Sequence, residues 1–449
     1  MVDAPPREPA EPRGAACDGA PPGAIATLPD DRGLYKWWVL ALLTLAYVIS
    51  MIDRQLPFIL AEAIKADLDL SDAQIGLLGG LLFAAFYSIC GIPIARLADI
   101  HSRRTVLAGA VGFWCVMTAI GGFAANFVQL ALSRVGVAIG EAGCTPVAHS
   151  LIADYFRANR RATAIAIFSV GGPIGSMLGL LLGGWISDVS SWRAALLWIG
   201  LPGLVLSALI MLTLHEPERG RLDEKPRREA PSAARLIDVF RLLWSKKSFR
   251  HMAMGCGLYA FGASAKVAFS PMFLMRVHQL SPSETGMMLG AVVGVSGIVG
   301  TLAGGTLGDL LGKRDRRWYM WLPGVALLVA APCLAVAFLA SDVTVALIAL
   351  VPSYGLGILF IAPTFAMAQA LVPAQMRATA SAVLMALMFL IGNSFGPTIV
   401  GGLSDLMAPR AGELSLSYAL ALTALTNVWG FVHYLLAAVH LRADLESVK

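Results

Sequence analysis

Apolar runs of 18 or more residues recur along the sequence from residue 36 onwards. A run of this length can cross a bilayer as an α-helix, because the hydrocarbon core is about 30 Å thick and a helix rises about 1.5 Å per residue. Buried helices of soluble proteins show apolar runs of only about 10–14 residues. The sequence therefore predicts an all-α membrane protein, although a length of 449 residues would otherwise suggest two or three soluble domains.

We predict twelve membrane-spanning helices. Several of them exceed 20 residues, which a tilt or a bend accommodates. Bends are expected at Pro57, Pro93, Pro146, Pro173, Pro363 and Pro397. The predicted spans are residues 36–60, 72–97, 105–123, 128–153, 162–186, 193–214, 251–275, 285–310, 318–339, 343–371, 378–402 and 415–440.

One long polar segment, residues 215–250, separates six predicted spans from the other six. Its second half alternates apolar and basic residues at helical spacing, which is typical of an amphipathic helix on a membrane surface. Residues 1–34 are rich in Pro, Ala, Gly and charge, and we expect a disordered tail without a cleaved signal peptide. The predicted order is this tail, a six-helix bundle (35–214), the linker (215–250), a second six-helix bundle (251–441) and a C-terminal tail (442–449).

The basic residues of the loops alternate between the two sides of the predicted membrane. The loops at residues 103–104, 157–161 and 313–317 are rich in Lys and Arg, as is the linker. By the positive-inside rule these loops and both termini are cytoplasmic. We therefore expect a multi-pass protein of the inner (plasma) membrane.

The composition excludes several classes of function. The chain is 57% hydrophobic and 14% charged, and its formal net charge of +5 arises in short loops, so nucleic-acid binding is not expected. The six cysteines occur singly, without the spacing of a metal site. No ATP motif and no cluster of catalytic residues is visible. The sequence predicts a secondary carrier rather than an enzyme, without a cofactor or a metal.

The two halves of the sequence are similar to each other. The segments ADIHSRR (98–104) and GDLLGKR (308–314) correspond, as do GGWISD (183–188) and GGLSD (401–405). Arg161 and Arg377 each begin an Arg-Ala-Thr-Ala sequence, at a similar separation. Two parallel six-helix repeats indicate a transporter with a path between the halves.

Two charges lie inside the fourth predicted span, in the segment RVGVAIGEA (134–142). Arg134 and Glu141 are seven residues apart, which is about two helical turns, so both lie on one face of the helix. A charge within hydrocarbon costs at least about 2.5–3.5 kcal/mol, and an intramembrane Arg or Glu is therefore a candidate functional residue.

The twelve spans and the loop motifs resemble the Major Facilitator Superfamily. The loop ARLADIHSRR (95–104) is similar to the loop that characterises the superfamily, although Ala95 and Ser102 stand where Gly is usual; GGTLGDLLGKR (304–314) keeps both glycines. The resemblance implies that these motifs clamp the cytoplasmic helix ends in the outward-open state. Topogenic charge is the alternative role. The implied gating residues are Asp99, Arg103, Arg104, Asp309 and Lys313.

Two motifs narrow the resemblance to the spinster family. The first span ends in IDRQ (52–55), and the fourth span is followed by LIADYF (151–156). Eukaryotic members of that family carry lysolipids and sphingosine phosphate, and the plain loops here suggest a bacterial member. The anion:cation symporter family has a similar Asp-Arg pair and GxGE segment, and it remains the alternative, with small organic acids as substrates.

Counting depth along the helices suggests a partner for Arg134. Asp53 lies 17 residues beyond Lys36, or about 25 Å into the membrane, and Arg134 lies about 10 Å below the opposite face. The resemblance implies that these spans line one cavity, where an Asp53–Arg134 ion pair would form. Protonation of Asp53 would break this pair and release Arg134 for a substrate anion. Glu141 would be a second proton carrier or part of the path, and with Arg134 it is a candidate for binding the substrate. The alternative is that these charges only fix helix packing.

Three further residues are candidates for contact with the substrate. Lys266 lies in the middle of the seventh span and either meets an anionic group or extends towards the membrane surface. Tyr47 offers a hydroxyl, although a packing role is the alternative, and Asn393 either faces the cavity or links helices. Arg54 points about 100° away from Asp53 and is expected to reach the outer headgroups, with ligand contact as the alternative.

The charge pattern also bears on the substrate. Buried charge is concentrated in the first half, which favours an amphiphilic anion such as a lysolipid or sphingolipid over a small organic acid, since the latter needs a second cation. The predicted partners are this substrate, protons and membrane lipids. We expect a monomer.

Overall fold

A computed structural model of the protein describes residues 33–218, 236–373 and 376–446. The first half forms nine helices in this part of the chain, and the second half forms ten. The first nine are α1 (Tyr35–Ile59), α2 (Ala61–Leu68), α3 (Asp72–Gly79), α4 (Leu81–Ile100), α5 (Arg103–Gly121), α6 (Phe127–Glu141), α7 (Cys144–Tyr155), α8 (Ala158–Val189) and α9 (Trp192–Thr213).

The second half begins with the short helix α10. A π-helical turn (Phe389–Asn393) interrupts the helical run after α16, and a 3₁₀ turn (Gly412–Leu414) follows α17. The helices of this half are α10 (Leu236–Ser245), α11 (Lys247–Val277), α12 (Pro282–Gly312), α13 (Trp318–Leu339), α14 (Val343–Ile358), α15 (Ile361–Ala370), α16 (Arg377–Met388), α17 (Phe395–Ala411), α18 (Ser415–Leu422) and α19 (Ala424–Glu446).

Eleven helical stretches of the described residues are long and apolar enough to cross a membrane. The last of them, Thr379–Glu446, has 68 residues. At about 1.5 Å per residue it is roughly three times as long as the hydrocarbon core is thick, so it is compatible with two crossings and with the predicted total of twelve. The prediction of an all-α membrane protein is confirmed.

Two predicted spans of the first half are broken in the structure. The second span consists of α3 and α4, which meet at Gly80, a residue with φ −98° and ψ −101° that lies outside the helical region. The fourth span consists of α6 and α7, which are separated by Ala142 and Gly143 shortly before Pro146. By contrast, α4 and α8 continue through Pro93 and Pro173.

Several predicted boundaries fall partly outside the described residues. These are the N-terminal tail, the middle of the linker and the last three residues. Within the linker, α10 buries Val239 and Leu243 against the second half, and α11 begins at Lys247, four residues before the predicted bundle.

The apolar cores of the described residues are arranged differently at the two ends of the molecule. We call the end that carries the Arg103 and Lys313 loops the basic end, and the opposite end the outer end. One apolar cluster joins both halves at the outer end and includes Leu56 and Phe273. Two other clusters each belong to one half, around Trp114 and around Phe249. The halves therefore share a core at the outer end, where α3 packs on α17 and α8 on α12.

Candidate substrate site between the two halves

A cavity of about 340 Å³ lies between the two halves of the protein. The first half contributes Arg54 and Arg134 to its wall, and the second half contributes Lys266 and Asn393. The rest of the wall is largely apolar and aromatic, including Phe58, Phe83, Tyr259, Tyr354 and Phe389. The cavity thus combines a few cationic groups with a large apolar surface, as ligand sites commonly do.

Asp53 and Arg134 lie together, as depth counting predicted. The Asp53 Oδ1 atom is 4.0 Å from Arg134 Nη1, and both side chains are buried. The other carboxylate oxygen, Oδ2, accepts a hydrogen bond of 2.7 Å from the Thr118 hydroxyl. Within the described residues, Asp53 Oδ1 and the Nε and Nη1 atoms of Arg134 have no hydrogen-bond partner. The pair is therefore at the outer limit of an ion pair and leaves several polar atoms unsatisfied.

Glu141 has a close partner that the sequence did not suggest. Its Oε2 atom accepts hydrogen bonds from Arg54 Nε at 2.7 Å and from the Ser50 hydroxyl at 3.0 Å. The Arg54 guanidinium also lies over the ring of Tyr87, 4.7 Å from the centroid, and over that of Phe83, at 5.3 Å.

The expectation that Arg54 extends to the outer headgroups is therefore wrong. Asp53 and Arg54 do point in different directions, but the two charges of α6 are about two turns apart. Consequently Asp53 lies next to Arg134 of α6, and Arg54 pairs with Glu141 of the same helix. Arg54 remains inside the protein because Glu141 compensates its charge.

Lys266 is buried and turns into the cavity rather than towards the membrane surface. Its Nζ atom donates to the Ser353 carbonyl oxygen at 2.8 Å and to the Ser353 hydroxyl at 3.2 Å. It also lies 4.0 Å from the centroid of the Tyr354 ring. In the described part of the chain no carboxylate lies within ion-pair distance of Lys266, so the second half presents a cation without a counter-charge.

Asn393 and Tyr47, the remaining predicted contacts, differ in position. Asn393 lines the cavity from the π-helical turn. Tyr47 instead stacks on Phe168, with ring centroids 4.8 Å apart, and it does not belong to the cavity wall. The ring of Tyr47 therefore packs within the first half, and its contact with a substrate stays a prediction. The Glu141 side chain does not line the cavity either, but it accepts a hydrogen bond from Arg54, which does.

An ionic network closes the outer end, and we call it the outer latch: Glu62, Lys65, Asp72, Arg276, Ser404 and Asp405. The Asp72 carboxylate receives two hydrogen bonds from Arg276, of 2.9 and 3.0 Å. It also receives hydrogen bonds from Lys65 at 2.5 Å and from the Ser404 hydroxyl at 2.7 Å. Since Arg276 and Ser404 belong to the second half, the latch ties the halves together.

A second element of the outer latch is a helix cap that crosses between the halves. The Asp405 carboxylate on α17 accepts the backbone N–H groups of Asp72 at 3.0 Å and of Ala73 at 2.8 Å. A carboxylate at a helix N-terminus also interacts favourably with the helix dipole. Sequence analysis did not predict the latch. Two sequence features could have indicated it: the capping box Ser71–Gln74, which marks the start of α3, and the Asp residue that ends GGLSD.

At the basic end, the predicted gating residues make contacts within their own half. Arg103 donates to Asp154 at 2.5 Å and to Glu216 at 2.8 Å, and the backbone N–H of Arg104 donates to Glu216 at 2.9 Å. In the other half, Tyr319 donates to Asp309 at 3.2 Å. Asp99, Asp309 and Lys313 are exposed. Their role as clamps in the outward-open state stays a prediction.

Comparison with known proteins is consistent with this geometry. Residues 43–397 match the family model of the Major Facilitator Superfamily. An MFS-type efflux pump from Mycolicibacterium smegmatis is 36% identical over 95% of this chain and 98% of that protein. The sphingosine-1-phosphate transporter SPNS2 of Danio rerio is 25% identical over 90% of this chain and 84% of that protein.

A solved structure extends the comparison to the conformation. A bacterial homologue of the human lysosomal transporter spinster, in an inward-facing and unoccupied conformation, superposes with a TM-score of 0.84 and 32% identity. The match covers 91% of this chain and 98% of that one. A shared core and latch at the outer end agree with an inward-facing arrangement. The chain belongs to the Major Facilitator Superfamily and is a spinster-like, multi-pass transporter of the inner membrane.

Proposed function

We propose that this protein is a proton-coupled secondary transporter that moves an amphiphilic anion through the central cavity by alternating access. The observation that carries the proposal is the incomplete pair of Asp53 and Arg134. Arg134 is buried in the cavity wall with two nitrogen atoms unpartnered, and the nearest carboxylate oxygen is 4.0 Å away. Such an arrangement has a place for an anion and a carboxylate that can gain a proton.

Asp53 protonation would control the charge of the site. The groups at the cavity are three cations, Arg54, Arg134 and Lys266, and two carboxylates, Asp53 and Glu141. With both carboxylates ionised the net charge is one positive, and protonation of Asp53 raises it to two. An uncompensated buried cation is costly, so protonation favours the entry of a substrate anion next to Arg134.

Release would follow the reverse order. When Asp53 loses its proton, the carboxylate competes with the substrate anion for Arg134. Because the outer latch is closed in this structure, the exchange occurs in a cavity that faces the basic end. Glu141, held by Arg54 and Ser50, is a second proton carrier or part of the proton path.

The apolar wall supports an amphiphile as the substrate. Arg54 and Arg134 would hold the headgroup, while aromatic side chains such as Phe58 and Phe83 would contact the apolar part. The likeness to a protein named as a sphingosine-1-phosphate transporter supports a lipid with an anionic headgroup. Lysolipids and sphingolipid-like molecules are the proposed class.

One observation favours a second candidate. A small organic acid needs a second cation in the site, and Lys266 of the second half supplies one. Symport of organic acids is therefore the alternative function of the same site. The two candidates differ in whether binding requires an alkyl chain.

The first experiment measures proton coupling in reconstituted vesicles. An inward proton gradient should drive substrate movement in the wild type, and Asp53→Asn should abolish the stimulation by the gradient while retaining binding. Asp67→Asn, at the outer surface, is the control, because Asp67 pairs with Arg193 far from the cavity. Full coupling in Asp53→Asn would contradict the proton switch.

The second experiment identifies the substrate class. Thermal-shift screening should compare lysolipids of increasing chain length with small organic acids, using the wild type and Arg134→Ala side by side. We expect stabilisation by lysolipids in the wild type and its loss in Arg134→Ala. Stabilisation by organic acids alone would instead establish the alternative.

A further inference from the structure

Tyr87 of α4 lies between the charged groups of the first half and a helix of the second half. On one side, the Arg54 guanidinium carbon lies 4.7 Å from the centroid of its ring. On the other side, its ring is stacked on that of Phe389, with centroids 6.1 Å apart and an angle of 11° between the planes. Both distances are within the usual ranges for cation–π contacts and for offset-stacked aromatic pairs.

The second partner occupies an unusual position in its helix. Phe389 is the first residue of the π-helical turn Phe389–Asn393. Such turns are rare and occur frequently at functional sites. Both end residues of this turn, Phe389 and Asn393, line the cavity. The contact of Tyr87 therefore reaches a part of the second half that borders the proposed substrate.

The first partner is linked to the proposed proton switch. Arg54 follows Asp53 in the chain, and its Nε atom donates to Glu141 at 2.7 Å. Loss of the Asp53 charge changes the electrostatic forces on Arg54 as well as on Arg134. A cation–π contact depends on the position of the cation over the ring face, so a movement of Arg54 changes its attraction to Tyr87.

We propose that Tyr87 is a positioning residue that transmits the state of the charged groups around Arg54 to the π-helical turn of the second half. This inference rests on the proposed proton-coupled function. The ring is the element shared by two contacts, one to a charge and one to the opposite half. Removal of either contact should therefore make the movement of the two halves less dependent on protonation.

The charged and titratable groups around this stack come from several elements. Those of α1 and α6 surround Arg54 directly, Cys144 lies on α7, and Lys266 faces them across the cavity on α11. Variants of the two carboxylates therefore accompany the test. The groups are Tyr47, Asp53, Arg54, Cys115 of α5, Arg134, Glu141, Cys144 and Lys266.

The test measures how far the basic end opens as a function of pH. Spin labels at Arg160→Cys and Arg316→Cys, both exposed and on opposite halves, report the distance by pulsed electron paramagnetic resonance in nanodiscs. We expect the distance distribution of the wild type to shift between acidic and alkaline pH. Tyr87→Leu and Phe389→Leu should reduce the pH-dependent change in the population ratio by about threefold or more, the effect of losing one such contact.

Conservative variants distinguish this role from a purely structural one. Tyr87→Phe keeps the ring, and with it the cation–π contact and the stack, and should respond to pH as the wild type does. Phe86→Leu, next to Tyr87 but exposed on the outside of α4, is the matched control and should also respond normally. Asp53→Asn should not respond, and Glu141→Gln identifies any contribution of the second carboxylate.

Two results would overturn the inference in different ways. A normal pH response in Tyr87→Leu and Phe389→Leu, with none in Asp53→Asn, would remove the role of Tyr87 and leave the proposed function standing. A wild type without any pH response would contradict both the role of Tyr87 and the proposed proton-coupled function. Should Phe389→Leu not fold into a monodisperse protein, Tyr87→Leu compared with Tyr87→Phe decides the question.

Discussion

The two groups of buried charges in this protein are built in opposite ways. In the outer latch, the Asp72 carboxylate accepts hydrogen bonds from Arg276, Lys65 and Ser404 at 2.5–3.0 Å. In the cavity, Asp53 and Arg134 are 4.0 Å apart and leave three polar atoms without hydrogen bonds in the described structure. The latch is a satisfied network that holds one conformation, whereas the cavity pair is an unsatisfied one that can exchange partners.

The difference implies that the latch and the cavity pair have different roles. A buried network that is fully hydrogen-bonded is strongly destabilised by the loss of one member, because a charge is left behind without compensation. A poorly matched pair loses less when the cation is removed, because the remaining carboxyl group can take up a proton and become neutral. Stability should therefore depend on the latch, and coupling on the cavity pair. The following substitutions test this comparison, from the largest expected effect on stability to the smallest.

Arg276→Ala should have the largest effect. It leaves the buried Asp72 carboxylate without its bidentate partner, which costs up to about 3–5 kcal/mol for a buried pair. The thermal unfolding midpoint in detergent should fall markedly, and cysteines introduced at the outer end should become accessible to labels. Arg193→Ala removes an exposed ion pair with Asp67 and is the control. Equal midpoints for the two variants would contradict the importance of the latch.

Asp405→Ala should have an intermediate effect. It removes the acceptor for the backbone N–H groups of Asp72 and Ala73, and the loss of a helix cap typically costs about 1 kcal/mol. Asp188 is the counterpart of Asp405 in the repeated GGWISD segment, but its side chain is exposed. Asp188→Ala should therefore leave the unfolding midpoint unchanged. If Asp405→Ala and Asp188→Ala lower the unfolding midpoint equally, the cap between the halves does not stabilise the protein.

Glu216→Gln should have a small effect that depends on pH. Burial opposes ionisation of Glu216, but the backbone N–H of Arg104 and the Arg103 and Ser102 side chains outweigh it and lower its pKa below the usual value of a glutamate. Ionised Glu216 therefore stabilises the folded state above the unfolded-state pKa of about 4.3, and this contribution is lost as pH falls through the lowered value.

The measurement for Glu216→Gln is the unfolding midpoint across that acidic range. The wild type should lose its advantage over the variant as the pH falls, while the difference stays constant near neutrality. A difference that is independent of pH throughout the acidic range would rule out this contribution.

Arg134→Gln should have the smallest effect on stability and a large one on transport. Gln keeps hydrogen-bonding capacity and removes a buried cation that is only partly compensated. The unfolding midpoint should change little, while substrate-driven proton movement should disappear. A loss of stability as large as that of Arg276→Ala would show that the cavity pair is structural, as helix packing alone would require.

Much of the fold could be predicted because membrane spans are set by the length of apolar runs. The neighbourhood of Asp53 and Arg134 could be predicted because depth follows from counting residues along a helix. The partner of Arg54 could not, since it depends on how α1 is rotated relative to α6. A rotation about the helix axis leaves depth unchanged.

The outer latch could not be predicted for a different reason. Its members lie at helix ends, where charges are also expected for topology, and its bonds join residues of opposite halves. Those bonds depend on the conformation in which the two halves meet at the outer end, and the sequence alone does not select that conformation. Lys266 presented the same difficulty, because its long side chain can reach either the cavity or the membrane surface.

The cap on α3 has a consequence for how the outer end opens. The first turn of α3 has its N–H groups satisfied in part by its own Ser71 and in part by Asp405 of the other half. When the halves separate there, two backbone amides pass from a protein carboxylate to water. We therefore expect these two amide protons to exchange rapidly with solvent when the outer end is open and slowly when it is closed.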